Sequence, residues 1–335
     1  MVLIGKMKKI VKSVIKSVVF PVTGVPFRMG GGSLSSYWTS LISAVIANTD
    51  RDAIVMTFPS AKAIESDLSV TVNGAARNIT SATWAGAVLT LVLASEVVPG
   101  DVVVVTFATT GQTANVTNNV DIWYGVTIDE ANASPDLTRI ASTAGDMALH
   151  ASLPVHVLMK GCLLNDNGTV NYYLKTDDWT KKADGNASKL DGTDGQVMIE
   201  IPKFYHKIDN PSSGVYQHKI SLYPCTGFTE IPKFYIGAYK STVNRTAPIK
   251  QWSIVNANAE YRGGNNNAAL DGADNTQLGK PATLLSLINF RTYARARNAD
   301  TKWNVIPYRQ SMLLFDLFII EYATLNSQKA FNATL

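Results

Sequence analysis

The chain has 335 residues, of which 46 % are hydrophobic and only 17 % charged, and its net charge is +4. That apolar content excludes a disordered chain, the length implies more than one domain, and so mild a charge excludes a strongly basic nucleic-acid binder. Abundant Thr, Asn, Ser and Gly favour strands and loops over helical bundles. Two cysteines, Cys162 and Cys225, are too few for a disulfide framework, and no CxxC pair suggests zinc or redox chemistry. We read them as small buried apolar side chains, a bridge between them being left open. No run of 18 apolar residues indicates a membrane span.

Residues 1–20 place Ile10, Val11, Val14, Ile15, Val18 and Val19 on one helical stripe with lysines between them. Lys8, Lys9, Lys12 and Lys16 interrupt any apolar core of a secretory leader. A basic amphipathic helix suits a membrane surface or a groove on another subunit. The β-branched residues lower helix propensity, so we expect it to order on a partner protein. The docking residues are then Lys8, Lys9, Ile10, Val11, Lys12, Val14, Ile15 and Lys16. Pro21, Pro26 and Gly30-Gly31-Gly32 mark a linker, so residues 1–36 form a docking segment with its hinge.

Residues 37–122 carry strand patterns at Ala53–Phe58, Leu68–Val72, Asn78–Trp84, Val88–Leu93 and Val102–Phe107. Turn residues separate them, and Asn73-Gly74 suits a type I′ hairpin because both tolerate positive φ. Short strands at this spacing predict a β-sandwich.

Residues 123–335 are different. They contain Trp123, Trp179, Trp252 and Trp303, and one internal echo: Glu-Ile-Pro-Lys-Phe-Tyr at 200–205 recurs at 230–235. A single echo is no solenoid, and we read it as two similar strand entries, proline standing where a strand begins. Asn165-Asp166-Asn167-Gly168, Asp184-Gly185, Asp191-Gly192 and Asp194-Gly195 read as turns. The first of these lacks the alternating ligands and closing glutamate of an EF-hand calcium loop. Two helices are predicted, over Thr283–Arg297 and Tyr308–Leu325. Arginines end the first, where they suit the helix dipole. Pro307 suits the first position of the second, whose apolar surface on nearly every side predicts burial.

Few residues suggest chemistry. His150, His156, His206 and His218 show no zinc-type spacing. There is no nucleophile elbow and no phosphate loop. Glu200, Glu230, Glu260 and Glu321 are possible glycosidase carboxylates by residue type alone. We therefore expect no enzyme and no cofactor. The loop from Tyr261 and Arg262 to Asn265 and Asn266 could contact a glycan, the tyrosine by stacking and the amides by hydrogen bonds.

Two resemblances sharpen this reading. Ala87–Leu93 and Val97–Phe107 (VxxGDxVxVxF), after a strand ending Thr57-Phe58-Pro59-Ser60-Ala61, resemble bacterial and phage Ig-like domains, which serve as spacers or weak adhesion modules. From Val155 onward the chain resembles the C-type-lectin-like domain of phage and bacterial proteins, including targets of diversity-generating retroelements, and is related in fold to formylglycine-generating enzymes. The carrying segments are Val197–Tyr205, Phe234–Tyr239, Asn289–Arg295 and Leu317–Thr324. The catalytic cysteine pair of formylglycine-generating enzymes is not among the residues, so that activity is not implied. In lectin-like relatives the chain continues past the last helix into the ligand-binding face, which we expect this domain to lack.

The expected fold is thus mainly β with an α+β C-terminal part: an Ig-like sandwich over 37–122, then a lectin-like domain over 123–335. The implied function is a phage tail or fibre component, docked on other virion proteins and exposed on the particle for host-surface attachment to a glycan or protein. It would be a homo-oligomer, as trimeric fibres are, although no residue specifies three. The alternative is a purely structural head, collar or baseplate decoration.

Overall fold

The computed structural model describes residues 41–60, 68–107, 111–255, 260–263, 279–298 and 302–331. The N-terminal docking residues Lys8 to Lys16 lie outside that set. The chain is mainly β, with several sheets and a helical C-terminal part. Among the described residues no helix is long and apolar enough to cross a membrane.

The first eight strands are β1 (Ser43–Ala47), β2 (Asp50–Thr57), β3 (Leu68–Val72), β4 (Ala75–Arg77), β5 (Ile79–Ala85), β6 (Val88–Leu93), β7 (Val103–Phe107) and β8 (Thr113–Asn118). They form one sheet in the order β4-β3-β7-β8-β1-β2-β6-β5. Every pairing is antiparallel except β1 with β8, where Val45 and Ile46 run parallel to Thr117 and Asn118. Burial alternates strictly along β6 and β7, the period-two signature of a strand with one face on a core. Ile54, Met56, Leu89 and Leu91 from one half of the sheet share one core with Val70, Val72, Val103 and Val105 from the other. The sheet therefore folds over on itself, and the β1–β8 contact joins its two halves.

Five predicted strands are present with ends shifted by a few residues at most. Asn73 (φ 53°) and Gly74 (φ 80°) make the expected hairpin between β3 and β4. Three strands carry weak local signals. β1 is a short run beside a serine-rich stretch, β4 is Ala-Ala-Arg, and β8 (Thr-Ala-Asn-Val-Thr-Asn) is too polar to read as a strand. β8 forms because β7 and β1 offer ladders on both of its edges.

The second region contains β9 (Tyr124–Asp129), β10 (Thr138–Ala141), β11 (Lys160–Leu164), β12 (Val170–Tyr173), β13 (Gln196–Ile201), β14 (Phe204–Ser212), β15 (Val215–Ser221), β16 (Thr229–Ile231), β17 (Phe234–Gly237), β18 (Thr242–Asn244), β19 (Gln251–Trp252) and β20 (Tyr261–Arg262). Its helices are α1 (Leu149–Ser152), α2 (Leu287–Arg295), α3 (Tyr308–Tyr322) and α4 (Ser327–Phe331), with 3-10 turns at Gly145–Ala148 and His156–Leu158. Three sheets result, ordered β10-β9-β15-β14-β16, β12-β11-β13-β17 and β19-β18-β20.

The repeated hexapeptide explains how the first two of these sheets meet. Each copy is a strand end, a Pro-Lys corner and a strand start. Copy one passes from β13 to β14, and copy two from β16 to β17. The copies pair antiparallel with each other: Glu200 with Tyr235, Ile201 with Phe234, Phe204 with Ile231 and Tyr205 with Glu230. Each proline lacks an N–H for the ladder, so the paired ribbon bends where both copies turn. Ile201, Phe204 and Ile231 are buried in the central core of this region, with Phe234 packed against it. The polar side chains interlock across copies on the opposite face, where Glu200 is itself buried beside a second small core and Glu230 is exposed. Tyr235 donates to Glu200 at 2.9 Å and Tyr205 to Glu230 at 3.0 Å. Lys233 and Lys203 lie 3.5 Å from the same two carboxylates.

α3 packs on that core through Leu313, Leu317, Ile319 and Ile320. It is buried along one side rather than all round, since Phe315 is 38 % exposed. It ends three residues before the predicted end, at Ala323, whose left-handed backbone (φ 50°) stops the helix. Pro307 precedes the helix in extended conformation (ψ 158°), as the residue before its first turn. The polar exception on the buried side is Asp316. Register puts His206 and His218 on the core side of the β14–β15 hairpin, with Phe204 and Ile220. His218 Nδ1 donates to Asp316 Oδ1 at 2.8 Å. His206 Nε2 lies 2.8 Å from Oδ2, near enough for a charge contact but poorly aligned for a hydrogen bond. Burial pushes this carboxyl up, yet the two histidines together hold it below the ordinary carboxylate range.

The two β regions meet at Asp121–Trp123. The Arg51 guanidinium, from β2, grips Asp146 across the joint, with Nη1 2.9 Å from Oδ1 and Nη2 on Oδ2. Thr143 and Ser142 donate to the same carboxylate. Asn48 accepts from the Asp121 amide at 2.9 Å, and Thr226 donates its amide to the Asp121 carboxylate at 2.9 Å. A Cβ on Gly100 would lie 2.7 Å from Pro224, so a bare backbone (φ +86°) lets the regions approach. Both cysteines are free and buried. Cys225 sits inside this joint, receiving the Ile122 amide at 3.3 Å.

Two predictions follow from these contacts. Asp316→Asn should cost about 1–3 kcal/mol in urea denaturation at pH 7. Because the carboxyl is depressed in the fold, the wild-type advantage should be full above the ordinary carboxylate range and vanish as pH falls through the lowered value. A gap independent of pH would refute the assignment. Arg51→Ala should leave each core folded but raise the rate of limited proteolysis at 119–124, since Asp146 loses its bidentate partner.

Candidate functional site

Two of the four residues predicted to meet a ligand lie in the small third sheet. Tyr261 and Arg262 form β20, which pairs with β18 through Val243–Arg262 and Asn244–Tyr261. Asn265 and Asn266 lie outside the described residues. Tyr261 and Arg262, expected in a loop, thus stand in a short strand, because β18 offers them a ladder.

Tyr261 is half-buried and meets Trp252 of β19 edge-on, with ring centroids 5.4 Å apart. Its hydroxyl packs over Gly192, where an added Cβ would lie 2.8 Å away. Gly192 has φ +96°, as the Asp191-Gly192 turn predicts. Burial raises the Tyr261 hydroxyl above its ordinary value, and Asp191 adds to that. One edge of the tyrosine is thus already engaged, and free stacking of the whole ring on a sugar is not its geometry.

Beneath it lies the group that sequence reasoning missed. Arg297, two residues beyond α2, is 6 % exposed. Its guanidinium carbon stands 4.0 Å from the Trp252 ring centre and 5.6 Å from that of Trp303. Nε donates to the Gln251 carbonyl at 2.6 Å and Nη1 to Asp166 at 2.5 Å. Burial lowers its proton affinity, and Asp166 works against that. Asp166 also takes Lys250 at 2.8 Å and accepts Trp303 Nε1 through its own carbonyl at 2.6 Å. Burial pushes the Asp166 carboxyl up, but Lys250 and Arg297 outweigh it and hold it low.

Asp166 belongs to the Asn165–Gly168 turn. Gly168 (φ 83°) closes that turn through its amide to Asn165 O at 2.9 Å, so it has turn geometry, and its acid points at two cations of the chain itself. Sequence alone gave Arg297 only as a dipole partner at a helix end. Its partners come from positions 166, 251, 252 and 303, separations that no local pattern reveals.

α2 departs from its prediction. Ser286 caps it by accepting the Asn289 amide, and Leu284 lies before it in a left-handed conformation (φ 51°). The helix is therefore nine residues long, not fifteen. Leu284, Leu287 and Ile288 are 77 %, 60 % and 74 % exposed, while Ala294 and Arg297 are the buried ones. The apolar residues at the start of the segment are therefore exposed, while its C-terminal end, through Ala294 and the nearby Arg297, is the part that packs inward.

The four glutamates suggested by type sit in unrelated surroundings. Glu200 accepts from Tyr173 and Tyr235, and Glu230 from Tyr205. Glu260 accepts the Thr246 amide at 2.8 Å and is held below its ordinary value by that bond. Glu321 lies at the end of α3 with Oε2 buried and without a hydrogen bond. Among the described residues no group of three or more His, Cys, Asp or Glu is arranged to hold a metal ion. The third sheet brings together two aromatic edges and a strand end above a buried, paired cation.

Replacing Arg297 with alanine should destabilise the fold by about 3–5 kcal/mol, because it empties the space between two indoles and removes a buried partner of Asp166. Arg297→Lys should recover only part, since an ammonium cannot stack flat on the indoles while bonding both the Gln251 carbonyl and Asp166. Thermal or urea denaturation of both variants measures this; equal stability of wild type and alanine variant would contradict it.

Comparison with known proteins finds no family model, no curated protein and no solved structure that matches this chain.

Proposed function

We propose that this chain is a bacteriophage tail or fibre component that presents its C-terminal region to the host surface. In this reading residues 1–36 dock on other virion proteins, residues 37–122 are an Ig-like spacer, and residues 123–335 are a lectin-like domain acting as a non-enzymatic attachment module on the exposed surface of the particle. The observation that carries it is the joint between the two β regions. A spacer is useful only if it transmits orientation, and the Arg51–Asp146 grip with the Asn48–Asp121 and Thr226–Asp121 hydrogen bonds gives it one. The Arg297 platform supports the reading in a second way, because it underlies Trp252 and, through it, Tyr261 of β20. Contacts of this kind are shallow and weak singly, so attachment would rely on several copies in a homo-oligomer.

The exposed row Leu284, Leu287 and Ile288 favours a second reading, a structural decoration protein that packs on its virion neighbours. Binding of the labelled full-length chain to a glycan array and to a panel of bacterial cells separates the two. Attachment predicts saturable binding that Tyr261→Ala weakens by about tenfold, roughly 1.4 kcal/mol. No binding to any surface, with particle incorporation that depends on residues 1–20, would overturn attachment in favour of decoration.

A further inference from the structure

The last turn of α3 carries a carboxyl. Glu321 is partly buried, and its Oε2 is enclosed without a hydrogen-bond donor. The adjoining Tyr322 hydroxyl interacts with this carboxyl and works against the effect of burial; the other groups around it are neutral or turned elsewhere. On β9, Tyr124 accepts the Val155 amide at 3.2 Å, and its hydroxyl lies 3.3 Å from His156 Nδ1. His156 Nε2 donates to the Leu317 carbonyl at 2.8 Å, so its Nδ1 must accept from Tyr124. On α1, His150 donates Nε2 to the Ile140 carbonyl at 3.0 Å, and its Nδ1 is buried without a partner. On β10, Arg139 spends its Nη2 on the Glu321 backbone carbonyl at 3.1 Å. Higher on the same helix, Asp316 is occupied by His206 and His218.

Burial drives His156 down to about 4 and lowers His150, so neither supplies a cation at neutral pH. Burial also raises the Tyr124 hydroxyl, and an ionised Glu321 raises it further, which places the two groups within electrostatic reach. The carboxyl itself is pushed up to about 7 by burial. Beyond it the chain is strapped back on α3. Phe331 of α4 packs on Phe318 and Tyr322, with centroids 5.8 and 5.2 Å away, and Lys329 pairs with Asp136.

We propose that Glu321 is a proton-operated latch for the C-terminal end of α3. As the neutral acid it stays packed against β9 and β10. When it gives its proton to water, the carboxylate, opposed by burial and answered only by the neighbouring Tyr322 hydroxyl, leaves that enclosure, and the last turn of α3 loosens together with α4. The direction follows from linkage. The folded state holds this proton more tightly than the unfolded chain, so the stabilisation is complete below the ordinary glutamate range and is lost as pH rises through about 7.

Hydrogen exchange of the full-length protein, corrected for intrinsic rates, tests it. Protection of amides 318–324 should fall about tenfold or more between pH 5.5 and 8.5, while amides of β6 and β7 hold theirs. Glu321→Gln, which cannot ionise, should remove that fall, and Asp316→Asn should keep it. Equal pH dependence in wild type and Glu321→Gln would overturn the proposal. Should the glutamine variant fail to fold, the 13Cδ shift of Glu321 in the wild-type chain decides: a midpoint near 7 supports the latch, and one near the ordinary glutamate value overturns it.

Discussion

The pairing of the hexapeptide at 200–205 with its own copy at 230–235 is the constraint on which the C-terminal region depends. It makes two bent strands into one ribbon that serves two sheets at once. The inner residues of that ribbon, Ile201, Phe204 and Ile231, build the core on which α3 lies. Burying such side chains is worth about 1.5–3 kcal/mol each, far more than the exposed Lys–Glu contacts at the ribbon's ends. The Glu–Tyr bonds on the opposite face add register rather than bulk stability. A slip by one residue would exchange the faces of the glutamates and the isoleucines and break both Glu–Tyr bonds.

From this ribbon the remaining features can be placed. β14 continues into the hairpin that offers His206 and His218 to Asp316, so the ribbon sets where α3 can dock. β13 lies beside β11, whose C-terminal turn supplies Asp166 to Arg297. β9, next to β15, begins directly after the joint to the first β region, so the orientation of that region is inherited from the same sheet. The polar network is therefore a set of clasps between elements that the apolar ribbon has already brought together.

Much of this was legible from residue order. Alternation revealed the strands whose inner faces are apolar, such as β3 and β6, and Asn73-Gly74 announced its turn. The Asp-Gly pairs at 184, 191 and 194 gave turns with positive φ as their chemistry requires. Strands built of alanine, threonine and asparagine were hidden, because β4 and β8 exist through their neighbours' ladders. The echo was visible as a repeat, but self-pairing was not, since nothing local states which strand a strand will face. The candidate site was legible only at Tyr261 and Arg262. Arg297, Asp166, Trp252 and Trp303 converge across more than a hundred residues, and a buried cation leaves no periodic trace in sequence. The length of α2 is the corresponding error: the pattern suggested a helix from Thr283, but Leu284 takes a left-handed backbone and Ser286 caps the helix at Leu287.

The self-paired ribbon can be tested without perturbing it. Glu200 and Tyr235 form a non-hydrogen-bonded antiparallel pair, because the Ala238 amide bonds the Val197 carbonyl and the ladder alternates from there. Their α-protons therefore face each other at close range. A nuclear Overhauser measurement on the selectively labelled full-length protein should show a strong contact between the α-protons of Glu200 and Tyr235. Absence of that contact, or a strong contact from Glu200 to Phe234 or Ile236 in its place, would contradict the register from which the rest of the region is built.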